Sequence, residues 1–345
     1  MILGVLVVIV PLLLLYLALR INRLRFRDEG TLDLRSAVAI RLVQFGKRAR
    51  GKSAGALSLE QQRAELDALA RRFAGGGPRM AVERDLELPG PGGPIPVRHY
   101  RRSADENLRP ILLYLHGGSF ALGSIDTHDN VCRALAAAAD CSVLSVGYRL
   151  APEHPYPAGV DDAYAALNWV GANSRSFYGD PGRLAVAGDS AGGTLAAAVC
   201  LVARDRRGPA IRHQVLVYPA TDATTIERES YRLYGEGYML DTAQVLWARE
   251  QYLPDPQDRF LPYASPLLAP SHAGLPPATM VAAEFDVLRD EGRAYAEALE
   301  RAGVPVRYEC VPGVAHSFFS AQWLLPQARR MIRLIAEDLK QSWGG

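Results

Sequence analysis

Gly188-Asp189-Ser190-Ala191-Gly192 sets a serine between two glycines, each two positions away. A serine hydroxyl attacks carbonyl carbon only when a base takes its proton, so the motif has meaning only with a histidine and an acid elsewhere in the chain. For a nucleophile presented between a strand and a helix, the partners follow in the order acid, then histidine. Beyond Ser190 lie His213, His272 and His316. His316 stands in Pro312-Gly313-Val314-Ala315-His316-Ser317, a turn-forming stretch after the last strand-like run, which suits a base carried on a loop. Asp286 lies just past the run Thr279–Ala283 and is the expected acid, holding the imidazole tautomer and stabilising its charged form. Glu284 and Asp290 compete with it. Asp290 is read as a helix cap, and Glu284 as placed too early to reach the ring.

The pattern around Ser190 is short, and a helix-capping serine would match it as well. Its surroundings discriminate. Leu184–Ala187 reads as a strand and Ala191 onward as a helix, so Ser190 falls on the turn between them. A hydroxyl there sits at a helix N-terminus, whose free N–H groups favour developing negative charge. Upstream, His116-Gly117-Gly118-Ser119-Phe120 follows another apolar run, and its glycines let backbone N–H groups approach a substrate oxygen. The expected oxyanion donors are the N–H groups of Gly117, Gly118 and Ala191, against the reading of a plain glycine turn.

Short β-like runs occur at Asp85–Leu88, Val97–Tyr100, Ile111–Leu115, Ser142–Gly147, Leu184–Ala187, Gln214–Val217, Thr279–Ala283 and Val306–Cys310. Helical stretches follow several of them, at Asn130–Ala139, Val160–Asn173, Ala191–Arg204, Gly292–Ala302 and Gln327–Lys340. Runs such as Ile111–Leu115 are apolar throughout, as strands covered on both faces must be. Strand–helix alternation predicts an α/β fold, with an open, mostly parallel sheet of eight strands and helices on both faces. Before this region, 31–73 is helical in pattern, with Ser58 and Gln61 as a capping box. Gly75-Gly76-Gly77-Pro78 then breaks the chain. The stretch 221–270, rich in Tyr and Pro, is too long for a plain loop and reads as a lid or as carrying helices of its own.

The formal charge of +2, from 39 basic and 37 acidic residues, gives no one-sign field and argues against a nucleic-acid partner. Cys132, Cys141, Cys200 and Cys310 form no C-x-x-C pair and read as reduced and structural. Met1 to Leu19 carry no charge and would span roughly 28 Å as a helix, near bilayer thickness. With Arg20, Arg23, Arg25 and Arg27 following, the segment predicts a single-pass anchor, with the catalytic domain on the cytoplasmic side. A cleaved signal peptide is the rival, disfavoured because no basic side chain precedes the run and Ala18-Leu19-Arg20 is a poor cleavage site.

The segments His116–Phe120, 148–158 (Tyr-Arg-Leu-Ala-Pro-Glu-His-Pro-Tyr-Pro-Ala), Gly188–Gly193, Glu284–Asp290 and Gly313–Ser317 together resemble the hormone-sensitive-lipase-like family of α/β-hydrolases, which includes bacterial carboxylesterases and arylacetamide deacetylases. The resemblance covers about residues 80 to 340 and supports Ser190, Asp286 and His316 as a triad. It implies a two-part cap, made by the N-terminal helices and the insertion at about 221–270, over a catalytic domain from residue 80 onward. Ser119 departs from the family, which usually has a third glycine there. Glu153 and His154 read as structural parts of a Pro-rich turn. The expected function is a serine carboxylesterase acting on short- to medium-chain acyl esters through an acyl-enzyme, with no metal or cofactor. An amide deacetylase is the alternative within enzymes, and a small-molecule receptor on the same fold the alternative outside them. The expected partners are a small ester substrate and the membrane, with room for a homo-oligomer.

Overall fold

The computed structural model describes residues 26–27, 30–51, 57–73 and 76–344. A short pair, β1 (Phe26–Arg27) and β2 (Gly30–Thr31), precedes two helices, α1 (Leu34–Gly51) and α2 (Leu59–Phe73). The α2 start is the expected capping box: Gln61 N–H donates to Ser58 Oγ (3.2 Å), and Ser58 N–H donates to Gln61 Oε1 (2.9 Å).

All eight expected runs form strands: β3 (Val82–Gly90), β4 (Gly93–Arg101), β5 (Arg109–Leu115), β6 (Ser142–Val146), β7 (Gly179–Asp189), β8 (His213–Val217), β9 (Ala278–Phe285) and β10 (Val306–Ala315). They make one sheet in the order β10-β9-β8-β7-β5-β6-β4-β3. Pairing is parallel from β6 through β5 to β10, and β4 pairs antiparallel with both β3 and β6. The connecting helices are α3 (Asp129–Ala139), α4 (Ala158–Asn173) and α5 (Ala191–Asp205), then α6 (Glu229–Tyr234) and α7 (Thr242–Tyr252) within the long insertion, then α8 (Arg289–Arg301) and α9 (Pro326–Ser342).

The continuous apolar runs are explained by burial on both faces, since successive side chains of a strand point to opposite sides. Ile111, Leu113 and Leu115 of β5 join a core with Val160 and Leu167 of α4, Leu195 of α5 and Leu299 of α8. Leu112 and Tyr114, between them, join the opposite core with Leu135 of α3 and Met331 and Ile335 of α9. A third, smaller core unites Leu32, Ala37 and Ile40 with Tyr231, Tyr234 and Tyr238 of the insertion and Phe285, Val287 and Ala315 at the carboxyl ends of β9 and β10.

The expectation of a membrane anchor, a membrane partner and a cytoplasmic single-pass topology is corrected. Among the described residues no helix is long and apolar enough to cross a membrane. Residues 1–19 lie outside the described residues. Among the described helices, α1 has 18 residues and is interrupted by basic residues along its length, and the most apolar, α5, has 15 residues and is packed into the core.

The turn before α4 is tied by Arg149. Its backbone N–H and Nε donate to Asp162 Oδ2 (2.9 and 2.8 Å), and its Nη2 donates to Oδ1 (2.8 Å). Asp162 is only 1% exposed. Arg149→Ala strands that carboxylate with a single donor and is expected to cost on the order of 3 kcal/mol. Urea unfolding checks this; a midpoint within 0.2 M of wild type at unchanged slope would show the pair to be screened.

Candidate active site

Ser190 sits on the turn between β7 and α5 with φ +54° and ψ −124°, a conformation that costs a non-glycine residue roughly 1–3 kcal/mol. The surroundings impose it. Ser190 N–H donates to Val217 O of β8 (2.8 Å), and Ser190 O accepts from Thr194 N (3.0 Å). Strand and helix crowd so closely that a Cβ on Gly188 would lie 2.2 Å from Gly192 O, and one on Gly192 would lie 2.1 Å from Leu115 O. The two glycines of the motif are therefore required by contact.

Ser190 Oγ lies 3.0 Å from His316 Nε2, and His316 Nδ1 lies 2.6 Å from Asp286 Oδ2. Asp286 is 1% exposed, and its other oxygen accepts from Leu288 N–H (3.0 Å). The geometry can do base-assisted nucleophilic chemistry: an imidazole within reach of the hydroxyl, oriented by a buried carboxylate. The face of the imidazole packs against Tyr218, with ring centroids 4.5 Å apart.

The competing residues have other work. Glu284 Oε2 accepts from Gly313 N–H (2.7 Å), three residues before His316, and so holds the loop that carries the imidazole. Asp290 Oδ2 accepts from Ser230 N–H (2.8 Å) at the start of α6, so it caps a helix of the insertion and not the one it begins. His213 is buried between Thr279 Oγ1 (2.8 Å) and Ser342 Oγ (2.7 Å), and burial pushes its imidazole down to about 4. His272 contacts Pro266 O (2.9 Å).

The three expected oxyanion donors divide. Gly117 N–H points at the Asp189 carboxylate (3.1 Å to Oδ1), with His128 Nε2 3.3 Å from the same nitrogen, so this amide is not directed at a substrate. Gly118 and Ser119 N–H have no protein acceptor among the described residues, and both residues line a cavity with Ser190. Ser119 has φ +57°, strained for a non-glycine residue, which turns its backbone in a way that a third glycine would allow freely. Ala191 is the first residue of α5, where N–H groups have no intrahelical partner. The signal that sequence reasoning lacked was Asp189, whose role depends on contacts across the sheet.

Asp189 is 4% exposed and accepts from Tyr114 O–H (2.7 Å) as well as from Gly117 N–H, with His128 Nε2 3.2 Å from Oδ2. Burial alone would raise its pKa; His128, Tyr114 and the Gly117 amide outweigh it and hold the carboxyl below its ordinary value. One buried anion thus fixes the glycine loop to the residue adjoining Ser190. His116, beneath that loop, stacks on Tyr148 at 4.4 Å, and burial with His128 nearby pushes it down to about 4.

Two cavities meet at Ser190. One is a narrow cavity of about 60 Å³, lined by Ser119, Phe120, Ala191 and residues of the insertion, α7 among them. The other is lined by Leu66, Leu69 and Ala70 of α2, by Met239 and Leu240, and by Gly118 and His316.

The alpha/beta hydrolase fold family matches residues 112–320. The chain is 47% identical over 251 residues to the carboxylic ester hydrolase LipN of Mycobacterium tuberculosis, covering 71% of this chain and 66% of that protein. It is 39% identical over 301 residues to the ethyl acetate hydrolase of Pseudomonas putida, covering 84% of this chain and 94% of that one. Among solved structures, an ester-hydrolase from the metagenome of Lake Arreo, complexed with a bipyridine phosphonate derivative, superposes with a TM-score of 0.86 at 38% identity, over 91% of this chain and 100% of that chain.

Asp189→Asn presents an NH₂ group to a site built from donors, and the glycine loop must shift. Turnover of a p-nitrophenyl ester is expected to fall about 10- to 100-fold, with KM changed less than about threefold, because a small misplacement acts on the reacting geometry. An equal loss carried by KM would count against a positioning role.

Proposed function

The chain belongs to the hormone-sensitive-lipase-like family of α/β-hydrolase-fold ester hydrolases, and from that premise we propose that it is a serine carboxylesterase with Ser190 as nucleophile, His316 as base and Asp286 as the group that orients it. The observation that carries the reading is the unbroken line of contacts from Ser190 Oγ through His316 (3.0 Å) to Asp286 (2.6 Å).

Ser190 attacks the ester carbonyl as His316 takes its proton, and the charge formed on the carbonyl oxygen falls to the N–H groups of Gly118, Ser119 and Ala191. The tetrahedral species collapses as His316 returns the proton to the leaving alcohol. Water, deprotonated by the same imidazole, then releases the acid from the acyl-enzyme. Asp286 stabilises the imidazolium without taking the proton. The N-terminal helices and the insertion at about 221–270 serve as a two-part cap over a catalytic domain that starts near residue 80, a reading supported by the core they share and by the cavities they line. The narrow, mainly apolar cavity beside Ser190 suits short- to medium-chain acyl groups.

A series of p-nitrophenyl esters from two to sixteen carbons tests this directly. The rate is expected to peak at or below about ten carbons, pocket length being the limit. Ser190→Ala should lower kcat by about 10⁴-fold or more, and a fluorophosphonate should label the wild type at Ser190 alone. Wild-type protein that is folded yet neither labels nor turns over any ester would refute the assignment.

A further inference from the structure

The helix α7 presents Val245, Ala248, Arg249 and Tyr252 to the smaller of the two cavities beside Ser190, the i, i+3, i+4, i+7 stripe of one helical face. Three of the four are apolar or aromatic; the fourth is a cation. Arg249 Nη1 donates to Ala223 O (3.2 Å), its Nε is buried without a partner, and among the described residues no carboxylate forms an ion pair with it. The two carboxylates that line the same cavity are engaged elsewhere. Asp222 is paired with Arg228 (2.7 Å) and accepts from Thr224. Glu291 is 0% exposed, accepts from Thr221 N–H (2.8 Å) and Tyr231 O–H (3.1 Å), and is pushed up to about 8 by burial, so it is mainly neutral at pH 7. Burial and the neighbouring Arg259 hold the Arg249 pKa below the ordinary arginine value, the mark of a cation lacking a counter-charge.

Resting on the esterase reading above, we infer that the acyl cavity takes an acyl chain that ends in a carboxylate, with Arg249 as the residue that recognises it. A planar guanidinium offers paired donors that fit a carboxylate, and the apolar stripe on either side fits the methylenes between the two ends. The substrate class is then the half-ester of a dicarboxylic acid. Its hydrolysis is ordinary: the acyl C–O bond breaks, water supplies hydroxide to the acyl carbon and a proton to the alkoxide, and a dicarboxylate leaves.

The test compares mono-p-nitrophenyl glutarate with p-nitrophenyl hexanoate, reading the ratio of kcat/KM values within each protein. The ratio of glutarate to hexanoate is expected to fall at least tenfold from wild type to Arg249→Met, with Arg249→Lys in between. An unchanged ratio overturns the inference while leaving the esterase reading intact. Should Arg249→Met turn over neither ester, wild type decides: a glutarate rate more than tenfold below hexanoate overturns the inference, and a rate equal to or above it supports it. Wild type inactive on both esters refutes the underlying reading and this one with it.

Discussion

The close crossing of β7 and α5 constrains everything around the site. Ser190 can occupy its positive-φ turn only because Gly188 and Gly192 leave the helix free to approach Leu115 O and the strand free to approach Gly192 O. The strain is held by a hydrogen bond to the next strand, Ser190 N–H to Val217 O, so the sheet itself keeps the hydroxyl raised above its edge. The same crossing places the first amides of α5 beside the hydroxyl, where negative charge would develop. A looser crossing would relax the turn and withdraw both the Ser190 hydroxyl and the helix terminus.

Rigidity at that point requires a sheet that cannot flex, which the two cores supply. The alternation along β5 sends Leu113 into one and Tyr114 into the other, and Tyr114 then reaches Asp189 with its hydroxyl. A residue buried for packing thus also satisfies a buried charge. The carboxylate is tolerated there because Tyr114 O–H and Gly117 N–H donate to it and His128 Nε2 lies 3.2 Å away; without such partners it would be neutralised or expelled.

Much of this was legible from the residues. The eight strands followed from apolar runs of strand length bounded by turn residues, and the capping box at Ser58 from two side chains three positions apart. Local signals of that kind need no knowledge of the tertiary fold. What escaped depended on contacts across it. Gly117 carries the same local signature as Gly118, and only the approach of Asp189 from another strand engages its amide. Asp290 was readable as a helix cap, but the helix it caps lies 60 positions earlier in sequence. Met1 to Leu19 has bilayer length by composition alone, yet no helix among the described residues has both the length and the apolarity to cross a membrane.

The small third core joins the N-terminal segment and the insertion to the loops of Asp286 and His316. Leu32 and Ile40 from the N-terminal segment pack with Tyr231 and Tyr234 of the insertion, and with Phe285 and Ala315, the neighbours in sequence of Asp286 and His316. Backbone bonds reinforce the link: Asp33 N–H donates to Gly313 O (2.8 Å), while Glu284 holds the Gly313 N–H. The loop that carries His316 is therefore gripped on one side by the sheet and on the other by the segment leading into α1. Moving the N-terminal segment and the insertion together as a rigid body would therefore disturb the His316 loop.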